Sequence, residues 1–206
     1  MFFERSLVRA NPRVVFDFDD AIFLGAKNQE VVQWMCENAG WVTPGNEYLA
    51  DWARHYTERV TTIPTVIDTE QVGTRGQKPL ERDGTVRIGW TGSDGSIRAT
   101  LYPHLEMLRD LQREIDFELV IITNSRPQLP VAGLRWSFHA WSPEVDNRLS
   151  DLFDIGIMPL VDDAFQKGKC GLKLLQCMAA GLPTVASPVG VNAQITIEGV
   201  TGFNAA

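Results

Sequence analysis

Positive charge, cysteine and long apolar runs are all scarce in this 206-residue chain, and each shortage removes a class of function. Nineteen Lys and Arg residues face twenty-six Asp and Glu, a formal charge of −7. That balance argues against non-specific binding to nucleic acid, because a phosphate backbone needs a cationic footprint. It leaves room for a small anionic ligand held by a few local lysines. The three cysteines, Cys36, Cys170 and Cys177, are odd in number and form no C-x-x-C pair. They read as reduced thiols used in packing rather than as a disulfide framework or metal ligands. His55, His104 and His139 lie far apart and carry no zinc signature. No run approaches about eighteen apolar residues, and the one in "MFFERSLVRANPR" is too short for a signal peptide. A cytoplasmic location is therefore expected. Walker-A loops are excluded, because no G-x-x-x-x-G-K-[ST] occurs.

What is present is an alternation of short apolar runs and helical segments. "RVVFDF", "GWVTPG" and "RVTTIPTVI" read as strands, with "NQEVVQWMCENA" and "NEYLADWARHYT" as the helices between them. Asn46 suits an N-cap, and Gly40 suits the end of the preceding helix. Residues 68 to 84, "DTEQVGTRGQKPLERDG", are polar, charged and without periodicity, the composition of a linker. A second series follows, with strands "TVRIGWTGS", "FELVIITNS", "LRWSFHAW", "IGIMPL" and "PTVASP". Its helices are "ATLYPHLEMLRDLQREI", "PEVDNRLSDLF" and a loop-helix "FQKGKCGLKLLQCMAAG", with a last pair of elements in "AQITIEGVTGFNA". Apolar strands alternating with helices predict an α/β protein with Rossmann-like, doubly wound parallel sheets. Two units are expected: residues 1–70, a linker at 71–84, and residues 85–206.

The acids in "VVFDFDDAIF" raise a chemical question. Asp17 and Asp19, two positions apart at a strand end, resemble the nucleophile and acid of haloacid-dehalogenase phosphatases. "LVIITNS", with Asn124, is similar to that family's second motif. The similarity stops where Asp20 and Ala21 replace the Gly and Thr of that family, and where Asp162 and Asp163 precede Lys167 instead of following it. A D-x-D metal site on a nucleotide diphosphate and a solvated strand end are the other readings of Asp17, Asp19 and Asp20.

The more informative stretch is "QKGKCGLKLLQCMAAGLPTVASPVG", residues 166 to 190. Glycines 168 and 171 flank an expected helix start, where free N–H groups and the positive dipole end suit phosphate. At about 100° per residue, Lys169, Lys173, Gln176 and Ala180 share one stripe. Leu172, Leu174, Leu175 and Met178 cover the remainder and are expected to be buried. The second element is "IGWTGSDGSIR", where a strand runs into Gly92 and Ser93 and then a helix with Arg98. In an open α/β sheet the crevice at the strand carboxyl ends is the usual ligand site.

These stretches resemble the retaining glycosyltransferases of GT-B fold, in the large family-4 group. "LSDLFDIGIMPL", "GLKLLQCMAAGLPTVASPVG" and "EGVTGF" are similar to that family's sugar-nucleotide domain in order and spacing. "AGWVTPGNEYLADWA" and "VTTIPTVID" resemble the end of its acceptor domain and the crossing into the linker. The resemblance implies a nearly complete C-terminal donor domain and part of an N-terminal acceptor domain, the chain ending at "GFNAA" before the helices that close such a fold. It implies transfer from a nucleotide-diphosphate sugar to an acceptor hydroxyl, carbohydrate or lipid-linked, in polysaccharide or glycoconjugate synthesis. It implies no cofactor and no metal. Donor contacts would come from Gly92, Ser93, Lys169, Gly171, Leu172, Lys173 and Gln176, and Asp17, Asp19, Asp20, Arg98 and Asn124 would stand at the cleft edge. In that family glutamates stand eight positions apart around this helix, one near the donor sugar and one on the ribose. Here those positions hold Gly168 and Gln176, which leaves a retaining or inverting outcome open. A non-catalytic nucleotide-binding module is the remaining alternative. Exposed sheet edges lead us to expect some self-association.

Overall fold

A computed structural model describes residues 2–25, 28–73 and 84–205. Most of the expected linker, positions 74–83, lies outside the described residues. In chain order the elements begin with α1 (Phe2–Ala10), β1 (Val15–Phe18), α2 (Gln29–Asn38), β2 (Trp41–Pro44) and α3 (Glu47–Arg54). Next come β3 (Val86–Thr91), α4 (Ile97–Thr100), α5 (Leu105–Leu111), β4 (Phe117–Thr123), β5 (Trp136–Ala140), α6 (Pro143–Asp146) and α7 (Leu149–Leu152). The last are β6 (Ile155–Met158), α8 (Ala164–Lys167), α9 (Leu172–Ala179), β7 (Thr184–Ala186), α10 (Asn192–Ile195) and β8 (Gly202–Asn204).

The chain divides into two compact units. One holds residues 1–65, 162–170 and 189–191, and the other holds 66–161, 171–188 and 192–206. The division is not a cut at one linker, because two short segments from late in the chain join the early one.

In the first unit β1 and β2 pair in parallel, with Val15 opposite Trp41 and Phe18 opposite Pro44. Their buried face meets α2 and α3 around Phe18, Phe23, Val32, Cys36, Val42 and Leu49. The Phe23 and Trp52 rings stack with centroids 4.2 Å apart. Asn46 caps α3 as its sequence suggests, its side chain accepting from the Leu49 N–H at 2.9 Å. The strand expected over "RVTTIPTVI" reduces to a bridge from Val60 to Val42. The segment still runs beside β2 through Thr61 N–H to Val42 O and Ile63 N–H to Pro44 O. Pro64 has no N–H with which to continue the ladder.

The second unit is a six-stranded parallel sheet in the order β5-β4-β3-β6-β7-β8. One face packs Leu101, Leu105, Leu108, Phe117, Leu119 and Ile121, and the other packs Val120, Ile122, Leu149, Phe153 and Cys177. Burial on both faces explains the unbroken apolar run "LVII", and each fully buried large side chain contributes about 1.5–3 kcal/mol. The long helix expected over 99–115 is divided: Pro103 sits in a 3-10 turn, Tyr102–His104, between α4 and α5. Proline lacks the N–H that a continuous helix would need. "PEVDNRLSDLF" likewise gives two short helices, α6 and α7.

Candidate active site

The strand order of the second unit locates its crevice. From β3 the chain steps outward through β4 and β5, then returns to the far side of β3 with β6 and continues to β7 and β8. The direction reverses between β3 and β6, and ligands of open α/β sheets bind outside the carboxyl ends of strands at such a point.

At that edge β3 ends in Thr91, whose buried hydroxyl has no hydrogen-bond partner among the described residues, and runs into Gly92 and Ser93. The turn is built from local bonds. The Ser96 N–H donates to Ser93 O at 3.0 Å, and the Gly92 N–H donates to Ile122 O at 3.1 Å. Asp94 then ties the turn to the end of β4. Its carboxylate accepts from the Thr123 hydroxyl at 2.7 Å, the Ser125 hydroxyl at 2.7 Å and the Ser125 N–H at 3.0 Å. Those donors, Ser125 first and Thr123 next, hold the Asp94 carboxyl below the ordinary aspartate value. Arg98 and Asn124 are exposed.

Helix α9 begins at Leu172 with Gly171 as its N-cap, at the glycine-flanked start expected from sequence. Its N-cap, Gly171, has φ of +74°, a left-handed conformation suited to glycine. The Leu174 and Leu175 N–H groups bond to Gly171 O, so the preceding N–H groups of the first turn are the ones without a helical acceptor. Lys173 and Gln176 share a stripe, as expected, and the Lys173 ammonium donates to Gln176 Oε1 at 2.8 Å. Both meet Asp146 at the end of α6. Gln176 Nε2 donates to Asp146 Oδ2, and Lys173 Nζ lies 3.5 Å from Asp146 Oδ1. The Asp146 side chain is 13% exposed and that of Lys173 25%. Leu174 is buried as expected, whereas Leu172 is exposed and Leu175 and Met178 are half-buried.

Lys169 departs from the expected stripe. It precedes α9 and belongs to the first unit, where its ammonium sits 3.3 Å from Asp20 Oδ1 and over the Phe165 ring. Asn46 organises this stretch by donating through Nδ2 to the Gly168 and Lys169 carbonyls at 3.0 and 3.2 Å. A Cβ at position 168 would lie 2.7 Å from both the N and the Cβ of Ala21. The glutamate that the resemblance places at this position therefore has no room in this chain. Asp17 accepts from the Thr43 hydroxyl at 2.7 Å, and the Asp19 carbonyl accepts from the Cys170 thiol at 3.2 Å. Burial, then Asp19 and Asp20, push that thiol up to about 11. Among the described residues no three His, Cys, Asp or Glu side chains are grouped to hold a metal ion.

Sequence reasoning missed Asp94, Asp146 and the second role of Asn46. Asp94 carries a signal in "GSDGS", where an acid among glycines and serines marks a side chain bonding to nearby backbone. Asp146 carries none.

The model of the glycosyl transferases group 1 family matches residues 87–206, which span the six-stranded sheet. The chain belongs to the glycosyl transferases group 1 family. Its fold is that of GT-B glycosyltransferases. Sucrose-phosphate synthase from Thermosynechococcus elongatus superposes with a TM-score of 0.68 at 15% identity, over 93% of this chain and 54% of that one. HepE from Anabaena, in complex with UDP and glucose, gives 0.66 at 15% identity, over 93% and 57%. A variant of TarM from S. aureus, in complex with fondaparinux, alpha-GlcNAc-glycerol and UDP, gives 0.67 at 12% identity, over 92% and 40%. The chain thus spans about half the length of these glycosyltransferases. A comparison with curated protein sequences gives no match. Among the described residues no helix of this family member is long and apolar enough to cross a membrane.

Proposed function

We propose that the chain binds a nucleotide-diphosphate sugar at the carboxyl edge of the six-stranded sheet and serves transfer of that sugar to an acceptor hydroxyl. The observation that carries this reading is the coincidence of the family match with that sheet, at whose edge Lys173 meets the N-terminal turn of α9. In the reaction the bond from the anomeric carbon to the phosphate oxygen breaks, and its electron pair leaves with the diphosphate. The acceptor oxygen forms the new bond to that carbon and releases its proton. Charge builds on the diphosphate in an oxocarbenium-like transition state, and Lys173 with the helix N-terminus stabilises it electrostatically. The reading includes no metal and no cofactor, since the ammonium and the helix dipole supply the positive charge. HepE has been solved with UDP-glucose and the TarM variant with UDP, which supports a nucleoside diphosphate as the common ligand. Gly92 and Ser93 lie on the same edge and complete the phosphate side, while Lys169 on Asp20 belongs to the acceptor-side unit. The acceptor is a carbohydrate or lipid-linked hydroxyl, and the reading places the chemistry in the cytoplasm or at a membrane surface. The phosphatase reading of Asp17 and Asp19 gains nothing from the family match.

Calorimetry of the chain against UDP, ADP and GDP and their glucose conjugates, with and without EDTA, tests the reading. Saturable binding of one nucleotide class supports it. Absence of binding to every member of the panel overturns it.

A further inference from the structure

We infer that the face of β3, β4 and β5 carries a second ligand site, a groove that binds an uncharged sugar away from the donor edge. The groove has a volume of about 290 Å³ and is lined by Arg87, Glu118, Val120, Ser137, His139 and Leu152. That is the small end of the range for ligand pockets, about 300–1,000 Å³. Strand register brings these groups together. Arg87 stands opposite Glu118, Val120 opposite Ser137, and Ile122 opposite His139, and residues two apart in a strand share a face. Gly89, opposite Val120, adds no side chain, and the Phe153 ring fills the space over it. Arg87 lies four positions before Thr91, about 13 Å along the strand. This end of the groove is thus set back from the carboxyl edge, and the inference stands without the donor reading.

What marks the groove is hydrogen-bonding capacity that the fold leaves within reach of solvent. Arg87 Nε and Glu118 Oε2 pair at 3.6 Å, with side chains 28% and 24% exposed, a separation too long for a hydrogen bond. A guanidinium has five N–H donors, and a carboxylate has two acceptor oxygens. Ser137 and His139 are half-buried, and neither side chain has a hydrogen-bond partner among the described residues. Val120 and Leu152 supply the apolar part. The ligand must therefore bring donors, acceptors and apolar surface, and no net charge. An anion meets Glu118 and a cation meets Arg87. A zwitterion would have to break the ion pair to use either end of it. A sugar hydroxyl donates and accepts at once, and the C–H face of a pyranose packs on valine and leucine. Such a groove retains a glycan acceptor or product without taking part in the transfer.

The test titrates the isotope-labelled chain with the methyl glycosides of glucose, galactose, mannose and N-acetylglucosamine and follows backbone amide shifts by NMR. Inorganic phosphate and glycine betaine serve as charged and zwitterionic controls, and UDP is titrated separately. At least one glycoside should shift the amides of Arg87, Glu118, Ser137 and His139 saturably, with a dissociation constant of about 1–10 mM. Glu118→Gln and His139→Ala should each weaken that binding about tenfold, the scale of one hydrogen bond, and leave the UDP-induced shifts as they are. Saturation by none of the glycosides, or shifts confined to the carboxyl edge around Gly92 and Lys173, would overturn the inference. So would phosphate or betaine binding in the groove more tightly than every glycoside. These results are read on the unaltered chain, whether or not a variant folds. Unchanged glycoside affinity in both variants, once folded, would overturn it as well. Failure of UDP to bind bears on the donor reading alone.

Discussion

At the scale of single residues, Lys173 and Gly168 carry the sharpest consequences. Lys173 is half-buried and held between Gln176 and Asp146, so its ammonium already has a fixed place. Lys173→Ala should weaken nucleoside-diphosphate binding by about 1.5–3 kcal/mol, the range for a hydrogen bond to a charged group. Titration calorimetry on a variant whose unfolding midpoint shows it to be folded gives the value, and an unchanged affinity moves the phosphate site off α9. Gly168 is a steric constraint. With a Cβ only 2.7 Å from the Ala21 backbone N, Gly168→Ala should cost about 1–3 kcal/mol by overpacking, read from urea unfolding. Gly168→Glu, which restores the carboxylate that the resemblance expects, should be destabilised at least as much. Asp94 sets a pH dependence. Its folded-state value lies below the ordinary 3.8 through the bonds from Ser125 and Thr123, so the unfolded chain takes up its proton first. The stability it contributes is complete above pH 3.8 and is lost as pH falls through the lower folded-state value. Asp94→Asn should flatten that part of a plot of urea midpoint against pH.

Individual elements show how one side chain can serve two purposes. Asn46 caps α3 through its oxygen and holds the 167–169 carbonyls through its nitrogen. Asn46→Ala should lower stability by about 1–3 kcal/mol, a cap together with buried carbonyls left unpaired. Asn46→Ser keeps an acceptor for the cap but cannot reach the carbonyls. A serine variant as stable as the unaltered chain would show that those three carbonyls contribute nothing. The cap itself was legible in "GNEYL", because an N-cap bonds only three residues ahead. The reach to position 168 was not, since it spans 122 positions. Helix α9 divides in the same way. Its apolar periodicity and glycine-flanked start announce a helix, but the course of the chain into it depends on the segment 166–170 being drawn into the first unit by Asn46, Asp20 and Ala21.

For the molecule as a whole, two measurements follow. If Lys173 and the α9 dipole supply the charge, EDTA should leave nucleotide affinity unchanged, with a dissociation constant weaker than about 100 μM, near −5 kcal/mol. Loss of binding in EDTA, reproduced by Asp17→Asn or Asp19→Asn, would make the acidic strand end a metal site. The second concerns the β1–β2 sheet. Among the described residues β1 has one strand neighbour, and Val15 upon it is 56% exposed. Such an edge invites pairing with another chain, and a lysine there opposes it. Light scattering should show an average mass that rises with concentration, reduced in Val15→Lys. A constant monomer mass in the unaltered chain would count against the edge as an association surface.

The sequence by itself determined the alternation of strands and helices, the parallel class of the sheets, the cap at Asn46 and the glycine-flanked helix that carries Lys173. Each of these depends on neighbours within a few positions, through side-chain periodicity, backbone freedom or a cap bond, and such interactions leave a local pattern. Tertiary structure decided what the charged groups do. It placed Lys169 on Asp20, 149 positions away, and brought Asp146 to Gln176 across 30. It also closed the space that a side chain at 168 would need. No local spacing encodes these pairings, because they exist only after the sheet has folded and brought distant loops together.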